Sequence, residues 1–213
     1  MRWGVSSLFY FLFDALLPPR PSEHLVRSLS VENLRERSLP EHNVGLLPYH
    51  DPAVRALVWE LKYYARAHAA DLAGALLAER LFAIATEEIG RPLLIPTPMH
   101  DTRRRVRGHN QTELLCTHAL TQLKTNASGT DLYTYAPNAL VRVTYTKPQQ
   151  GLPRHRRVRN VANTMRVAEP AAVKNKVCVV VDDVTTTGAT LAETKRALEA
   201  AGALRVVCVA LAQ

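Results

Sequence analysis

The sequence predicts an α/β domain with a mainly parallel sheet flanked by helices, over about residues 93–213. Its clearest element is the segment 177–181, five consecutive apolar residues of which four are β-branched, as is typical of a strand buried on both faces. Apolar strand segments alternate three times with helical patterns over this part of the chain, which indicates the α/β class. A last strand at 205–210 follows Gly202, a helix C-cap, and would close a right-handed βαβ unit.

The amino-terminal part of the chain, residues 1–48, is predicted to be an apolar helix and a connector, ahead of a domain at 49–213. The apolar segment 5–17 is interrupted by Asp14 and is shorter than the ~20 residues of a membrane span. We therefore interpret it as a helix that docks on the protein or on a partner, with a peripheral membrane helix as the alternative. A short helix is expected at 31–37 within the connector.

A helical lead-in at 49–92 is expected to pack on the α/β core as an accessory hood. Its first helix, predicted at 52–64, begins with an aspartate N-cap and a first-turn proline. Its second helix, predicted at 67–87, is rich in alanine and leucine and carries an apolar stripe. Lys62 lies on the first helix, and we interpret it as an ordinary solvated lysine, the alternative being a phosphate contact.

Polar side chains follow the strand at 177–181 and indicate a phosphate-binding turn. Asp182 and Asp183 stand at the carboxyl end of this strand, where open α/β sheets bind ligands, and carboxylates can accept hydrogen bonds from a sugar. The turn adds hydroxyls, a glycine and a helix amino terminus, which suit an anion. Its residues are Val184, Thr185, Thr186, Thr187, Gly188, Ala189 and Thr190. Any strand-turn-helix unit needs a polar cap, but a cap uses one such side chain, so we favour the functional interpretation.

A second anion site is predicted in the basic turn after a short strand at 93–95. Arginines at the end of a strand, beside the amino terminus of a capped helix, have the charge and the fork geometry to hold a diphosphate. A solvated run of charge is the alternative. The candidate residues are Arg103, Arg104, Arg107, Gly108, Asn110 and Gln111.

The segment 147–159 is strongly basic and irregular, and we interpret it as a loop that closes over an anion. It follows a strand predicted at 140–146, where apolar and polar residues alternate. A loop that binds a nucleic acid backbone and a plain surface loop are the alternatives.

The composition is that of a globular protein with an anionic partner. Lysine and arginine total 27 against 19 acids, which gives a net charge of +8 and a pI of about 9.7. This balance favours a phosphorylated metabolite, a nucleic acid or an acidic protein, and does not choose among them. The three cysteines lack Cys-x-x-Cys spacing and are interpreted as buried thiols in a reducing cytoplasm. The histidines lack metal-ligand spacing, so no side-chain metal cluster is predicted.

Residues 178–191 resemble the 5-phosphoribosyl 1-pyrophosphate motif of type I phosphoribosyltransferases. The match consists of four apolar residues, two acids and a turn that contains Thr-Thr-Gly-x-Thr-Leu. In that family the acids hold the ribose 2′ and 3′ hydroxyls and the turn holds the 5′-phosphate. The resemblance therefore implies that Asp182 and Asp183 bind ribose and that residues 184–190 bind the phosphate.

Most of the chain also resembles the ComF family of competence-associated proteins. A first matching segment combines Pro96, Thr97 and Pro98 with Arg107, Gly108, Asn110 and Gln111, and Leu61, Lys62 and Tyr63 form a second match. A third match, in the middle of the chain, includes Arg142, Gln149, Arg157 and Asn160. Members commonly carry a four-cysteine zinc finger near the amino terminus. Residues 21–44 contain no cysteine, so no zinc is expected here.

These resemblances imply the transfer of a phosphoribosyl group to a nitrogen nucleophile such as a nucleobase, with release of pyrophosphate. Mg²⁺ would enter with the substrate, 5-phosphoribosyl 1-pyrophosphate, and could contact Asp182 or Asp183. The same two acids are the catalytic candidates, because a carboxylate can stabilise the positive charge that develops on the ribose. No residue stands out as a general base.

The alternative is a non-catalytic competence or DNA-uptake factor that keeps the phosphoribosyltransferase fold. Its partners would be single-stranded DNA or competence proteins, as the family name and the net charge of +8 suggest. A cytoplasmic location is expected in either case. The oligomeric state is left open, with a homodimer among the alternatives.

Overall fold

The computed structural model describes residues 20–126, 131–144 and 161–213. Its helices are α1 (Pro21–Arg27), α2 (Val31–Glu36), α3 (Pro52–Tyr63), α4 (Ala67–Glu87), α5 (Asp101–Arg107), α6 (Gln111–Asn126), α7 (Pro170–Val173) and α8 (Ala189–Ala200). Its strands are β1 (Gly45–Leu47), β2 (Leu93–Pro96), β3 (Thr134–Tyr135), β4 (Leu140–Arg142), β5 (Met165–Val167), β6 (Val177–Val184) and β7 (Arg205–Ala212). The apolar helix predicted at 5–17 and the whole of the basic loop predicted at 147–159, together with Asn160, lie outside the described residues. Gln149 and Arg157 belong to that loop.

Five strands form one sheet in the order β1-β7-β6-β2-β3, and every neighbouring pair is parallel. β6 lies at the centre, and its residues from Cys178 to Asp183 are buried. β6 and β7 are parallel neighbours joined through α8, as the predicted βαβ unit requires. The α/β fold with a mainly parallel sheet is therefore confirmed.

The strand predicted at 140–146 is shorter than expected and belongs to a different sheet. β4 ends at Arg142 and pairs with β5 in an antiparallel arrangement, outside the parallel sheet. Beyond Arg142, the described residues add one hydrogen bond to this pairing, from the Val143 N–H to the Thr164 carbonyl at 2.9 Å, and residues 145–146 lie outside the described part of the chain. Alternating residues identify a strand but do not say which sheet it joins, because pairing is decided by tertiary contacts.

Two apolar layers cover the two faces of the parallel sheet. On one face, Leu77 of α4 and Leu115 of α6 belong to the same buried cluster as Val179 of β6. On the other face, Leu198 of α8 shares a cluster with Val180. Adjacent residues of a strand point to opposite faces, so β6 contributes to both layers, as a central parallel strand must.

The helices of the predicted lead-in are confirmed. α3 begins at Pro52, and Asp51 caps it by accepting hydrogen bonds from the N–H groups of Ala53 and Val54. α4 has the predicted bounds and buries ten residues. None of the helices in the described parts of the chain is long and apolar enough to cross a membrane.

The predicted connector holds more structure than its sequence indicated. The expected short helix is α2, which Ser30 and Asn33 cap reciprocally. α1 was missed, because it is only seven residues long and has little apolar periodicity. α1 is held to α3 by a hydrogen bond from Ser22 Oγ to Glu60 Oε1 at 2.6 Å. β1 extends the sheet beyond β7.

Candidate functional site

Two buried carboxylates lie at the carboxyl end of the central strand β6. Asp182 and Asp183 are only 7% and 6% exposed. Asp182 Oδ1 accepts the Asp183 N–H at 3.0 Å, and Asp183 Oδ1 accepts the Val184 N–H at 2.8 Å. Burial and the neighbouring charge of Asp183 raise the pKa of Asp182 above its ordinary value. Adjacent buried acids repel each other, so this end of the sheet favours cations and hydrogen-bond donors.

Lys62 supplies one such cation, from the carboxyl-terminal end of α3. Its Nζ lies 2.9 Å from Asp183 Oδ2. Burial alone would lower the pKa of Lys62, but the charge of Asp183 and the hydrogen bond to it raise that pKa. The interpretation of Lys62 as a solvated lysine is therefore wrong. The only signal for its role in the sequence was its place in the Leu-Lys-Tyr match to the ComF family.

The amino terminus of α6 approaches the same carboxylate. Gln111 Nε2 donates to Asp183 Oδ2 at 3.1 Å. Gln111 Oε1 in turn accepts a hydrogen bond from Arg107 Nη1 at 2.7 Å. Two residues that were assigned to the pyrophosphate, Arg107 and Gln111, are therefore connected to an acid that was assigned to the ribose.

A buried polar cluster fixes this helix terminus to the sheet. Thr97, the first residue after β2, donates its N–H and its hydroxyl to the Val181 carbonyl of β6 at 2.8 and 2.9 Å. Asn110 Nδ2 donates to the Thr97 carbonyl at 3.2 Å, while Asn110 Oδ1 accepts the Thr112 N–H at 3.2 Å. Asn110 thus caps α6 and holds its first turn against the carboxyl edge of β2 and β6.

The basic segment after β2 is a helix, α5, and not the turn that the sequence analysis predicted. His100 Nδ1 accepts the Thr102 N–H at 3.2 Å, and Gly108 ends the helix in the left-handed conformation at φ +83°. Between these caps the chain contains no glycine or proline, which permits a helix. Arg104 is directed to Glu113 and makes two hydrogen bonds of 2.7 Å to its carboxylate.

Arg103 and Arg142, which come from distant parts of the sequence, lie close enough for their charges to interact. Burial and the charge of Arg103 lower the pKa of Arg142, whereas Asp182 and Glu193 act in the opposite direction. Positive charge from two distant parts of the chain is thus close to Asp182, and a phosphate group would be attracted to it.

The turn between β6 and α8 has the backbone form of an anion site. The Thr185 N–H donates to the Ala212 carbonyl of β7 at 2.9 Å, so the turn begins at the edge of the sheet. Gly188 is the N-cap of α8 and has φ +73°. A Cβ built at Gly188 would meet nothing within 4 Å, so the space in front of α8 is open. Gly188 has no side chain to cap the helix, and the Ala189 N–H donates instead to Thr187 Oγ1 at 3.4 Å. The N–H groups at a helix amino terminus can bind an anion.

An open cavity of about 670 Å³ borders this turn. Its volume lies in the range of small-molecule sites, about 300–1,000 Å³. It is lined by Thr185, Thr186 and Gly188 of the turn and by Leu191, Ala192 and Lys195 of α8, with Val44, Val206, Cys208 and Gln213 on its other side. Asp182 and Asp183 do not line it, so the cavity reaches the turn but not the pair of acids.

The cysteines do not form a reactive centre. Cys116 and Cys178 are buried as predicted, whereas Cys208 is only partly buried. Burial raises the pKa of Cys178 and of Cys208 to about 11. The thiols are therefore protonated at neutral pH and are poor nucleophiles. Among the described residues, no three His, Cys, Asp or Glu side chains converge to hold a metal ion by themselves.

The fold and the site together define a type I phosphoribosyltransferase-like protein, in which a central parallel strand ends in two acids and a threonine-rich turn. The family profile of the phosphoribosyl transferase domain matches residues 137–213. The chain is 34% identical over 161 residues to the DNA utilization protein YhgH of Salmonella typhi, and 32% identical over 161 residues to that of Escherichia coli K12. Each alignment covers 74% of this chain and 66% of the relative.

The chain belongs to the ComF family of type I phosphoribosyltransferase-like proteins, which confirms the resemblance found in the sequence. It spans about two thirds, 66%, of the length of the curated relatives that it matches. A hypoxanthine phosphoribosyltransferase from Staphylococcus aureus aligns in structure with a TM-score of 0.36 and 10% sequence identity, over 66% of this chain and 61% of that one.

Proposed function

We propose that the chain binds 5-phosphoribosyl 1-pyrophosphate with Mg²⁺ and transfers the phosphoribosyl group to a nitrogen nucleophile, a nucleobase. One observation carries this proposal: a buried pair of acids, Asp182 and Asp183, is followed within five residues by the glycine N-cap of α8. Carboxylates accept hydrogen bonds from the ribose hydroxyls, and the N–H groups at a helix amino terminus bind the 5′-phosphate. The two ends of a ribose 5-phosphate would thus be held by adjacent parts of one turn.

The ribose end of the proposed site is supported by the donors that already surround Asp183. Its Oδ2 receives Lys62 Nζ at 2.9 Å and Gln111 Nε2 at 3.1 Å. These contacts fix the orientation of the Asp183 carboxylate. A ribose hydroxyl could donate to the same oxygen, either beside Lys62 and Gln111 or in place of one of them. Lys62 and Gln111 act here as positioning residues.

The diphosphate end is supported by three arginines. Arg103 and Arg142 interact electrostatically beside Asp182, and Arg107 donates a hydrogen bond to Gln111, whose amide contacts Asp183. Guanidinium groups bind phosphate oxygens in a fork geometry and stabilise the charge that a departing diphosphate gains. Arg104 is directed to Glu113 in the described structure, so it would have to exchange this partner in order to bind the diphosphate.

The acid pair also fits Mg²⁺. This ion prefers oxygen ligands and is commonly bound by one or two carboxylates together with substrate phosphates. Burial and the neighbouring charge of Asp183 raise the pKa of Asp182, so a cation bound beside these acids would be stabilised. Asp182 and Asp183 would hold the ion, and the ion would neutralise charge on the leaving diphosphate.

In the proposed reaction, the bond between C1 of the ribose and a pyrophosphate oxygen breaks, and its electron pair leaves with the pyrophosphate. A nitrogen atom of the acceptor forms the new bond to C1 and then loses its proton to solvent. The positive charge that develops on the ribose lies near the two carboxylates, which stabilise it. The arginines act on the opposite charge, that of the leaving group.

A direct test of transfer is to incubate the protein with 5-phosphoribosyl 1-pyrophosphate, Mg²⁺ and a panel of nucleobases, and to measure pyrophosphate release. Release that requires one particular base, and that Asp182→Asn abolishes, supports transfer. Asp71→Asn is the matched control, because Asp71 is exposed and lies on α4. Equal release without any base would mean hydrolysis, and no release with any base would contradict transfer.

A second candidate function is the handling of DNA. It is favoured by the name of the matched relatives, DNA utilization protein, together with the net charge of +8. In this case the acid pair and the turn would serve a ligand without turnover. A gel shift with single-stranded DNA over a series of salt concentrations tests it, because binding through phosphates falls steeply as salt rises.

A further inference from the structure

We propose that the exposed face of α3 binds the unpaired bases of a single-stranded nucleic acid, through Trp59 and Tyr63. This surface, formed by Arg55, Trp59, Tyr63 and Arg107, is called the aromatic stripe below. The proposal rests on the second candidate function and adds to it the place where the strand binds. It does not require that the chain transfer a phosphoribosyl group.

The two rings of the aromatic stripe lie side by side on the solvent side of α3. Trp59 is 47% exposed and Tyr63 is 43% exposed. Their ring centroids are 4.3 Å apart and their planes are inclined by 43°, so the two rings are in contact. The core contacts of α3 are made by other residues, among them Leu57 and Leu61. Nearly half of the surface of each of these two residues therefore remains open to solvent.

Cations stand at both ends of the stripe. Arg55 precedes Trp59 by four residues and Tyr63 follows by four, so the three share one face of the helix at steps of about 6 Å. The Arg55 side chain is exposed and forms no salt bridge with another described residue. At the other end, Arg107 Cζ lies 5.2 Å from the centre of the Tyr63 ring. Positive charge flanking aromatic rings is the pattern by which proteins bind single strands, with phosphates on the cations and bases on the rings.

The same features favour a strand over a free nucleobase. A site for a small ligand encloses most of that ligand's surface. The aromatic stripe is open, with both rings nearly half exposed, and it carries charges that a free base would not use. A strand gains from each base that stacks and from each phosphate that is neutralised.

The stripe lies next to the acid pair, which gives the strand a defined position. Arg107 contacts the ring of Tyr63 and donates to Gln111, whose amide reaches Asp183. Lys62, the neighbour of Tyr63 on α3, contacts the same carboxylate. A strand on the stripe therefore ends within reach of the candidate phosphoribosyl site.

Tryptophan fluorescence and labelled oligonucleotides provide the test. The chain has two tryptophans, so Trp3→Phe leaves Trp59 as the only reporter. In this background, a short oligothymidylate is expected to quench the emission at concentrations at which free thymine and a DNA duplex do not. An RNA strand of equal length, tested in the same way, shows whether the stripe prefers DNA or RNA. Quenching by either strand supports the proposal.

The variants use fluorescence anisotropy of a labelled strand. Trp59→Ala combined with Tyr63→Ala is expected to weaken binding by about tenfold or more, since stacking contributes about 1–3 kcal/mol per base. Trp59→Phe should retain most of the affinity, and Arg55→Gln should reduce the salt slope by about one. Phe82→Ala is the matched control, because Phe82 on α4 is also 47% exposed.

The outcomes separate the two claims. Wild-type affinity in the double variant would overturn the aromatic stripe while leaving nucleic acid binding in place. No binding of any strand by the wild type would overturn both the stripe and the second candidate function. If free thymine quenched the emission at the same concentrations as the strand, the rings would be a site for a free base, which would contradict the proposal. The thermal midpoint of each variant verifies that it is folded.

Discussion

Lys62 Nζ lies 2.9 Å from Asp183 Oδ2 and joins a helix outside the α/β core to the carboxyl end of the central strand. Gln111 donates to the same oxygen from the amino terminus of α6. Asp183 Oδ2 thus contacts donors from two helices, α3 and α6, that lie far apart in the sequence. The helical lead-in is therefore part of the candidate site and does more than cover it.

Replacement of Lys62 by methionine is expected to destabilise the ligand-free protein by about 2 kcal/mol at neutral pH, because it leaves buried carboxylates without their cation. The loss should shrink as the pH falls through about 8, where Asp182 takes up a proton. Thermal unfolding over a pH series measures both effects. Lys124→Met is the control, since Lys124 pairs with Asp131 where both side chains are largely exposed. An equal loss in the two variants would contradict a special role for Lys62.

Asp182→Asn is expected to stabilise the ligand-free protein at neutral and alkaline pH. The pKa of Asp182 is raised in the fold from its ordinary value of 3.8, so its contribution to stability is fully present below that value. The contribution is lost as the pH rises through the native pKa. The difference in unfolding free energy between variant and wild type should therefore grow between about pH 5 and about pH 8. A difference that stays constant with pH would show that Asp182 is not perturbed.

Gly188→Ala should weaken the binding of 5-phosphoribosyl 1-pyrophosphate. The residue has φ +73°, where a side chain costs about 1–2 kcal/mol, and its Cβ would extend into the space before α8. Gly90→Ala is a matched control with φ +91° and open space around its Cβ, outside the site. Titration calorimetry should show weaker binding for Gly188→Ala alone, with similar losses of stability in both. Equal affinity in the two variants would remove the turn from the phosphate site.

Arg103→Gln and Arg142→Gln should each weaken pyrophosphate binding, and their effects should not add. The two charges interact in the described fold, so removing one changes what the other contributes. Arg105→Gln is the control, because Arg105 is exposed on the same helix as Arg103. The affinity of each of the three variants for pyrophosphate can be measured by its competition with a fluorescent phosphate ligand. Strictly additive losses would indicate two independent surface contacts.

The parts of the site that the sequence predicted are those encoded by consecutive residues. A buried strand, two acids and a threonine-rich turn follow one another between 177 and 190, so the sequence alone predicts the carboxyl end of β6. Asn110 likewise belongs to the segment that the sequence places beside a capped helix, and it is the residue that caps α6.

The parts that the sequence missed depend on contacts between distant segments. Nothing near Lys62 indicates that its partner is Asp183, because only the packing of α3 brings them together. The proximity of Arg103 and Arg142 depends in the same way on where β4 lies beside the sheet. The residues of α5 are so rich in arginine that they indicate a surface turn, although their helix propensities also permit the helix that forms.

The most direct test of the proposed function is titration calorimetry of the wild-type protein with 5-phosphoribosyl 1-pyrophosphate, with and without Mg²⁺. We expect saturable binding that Mg²⁺ strengthens and that the double change Asp182→Asn with Asp183→Asn abolishes, while Asp71→Asn binds as the wild type does. Absence of binding heat at several temperatures, or equal binding by the double variant, would contradict the proposal that this acid pair and turn form a phosphoribosyl pyrophosphate site.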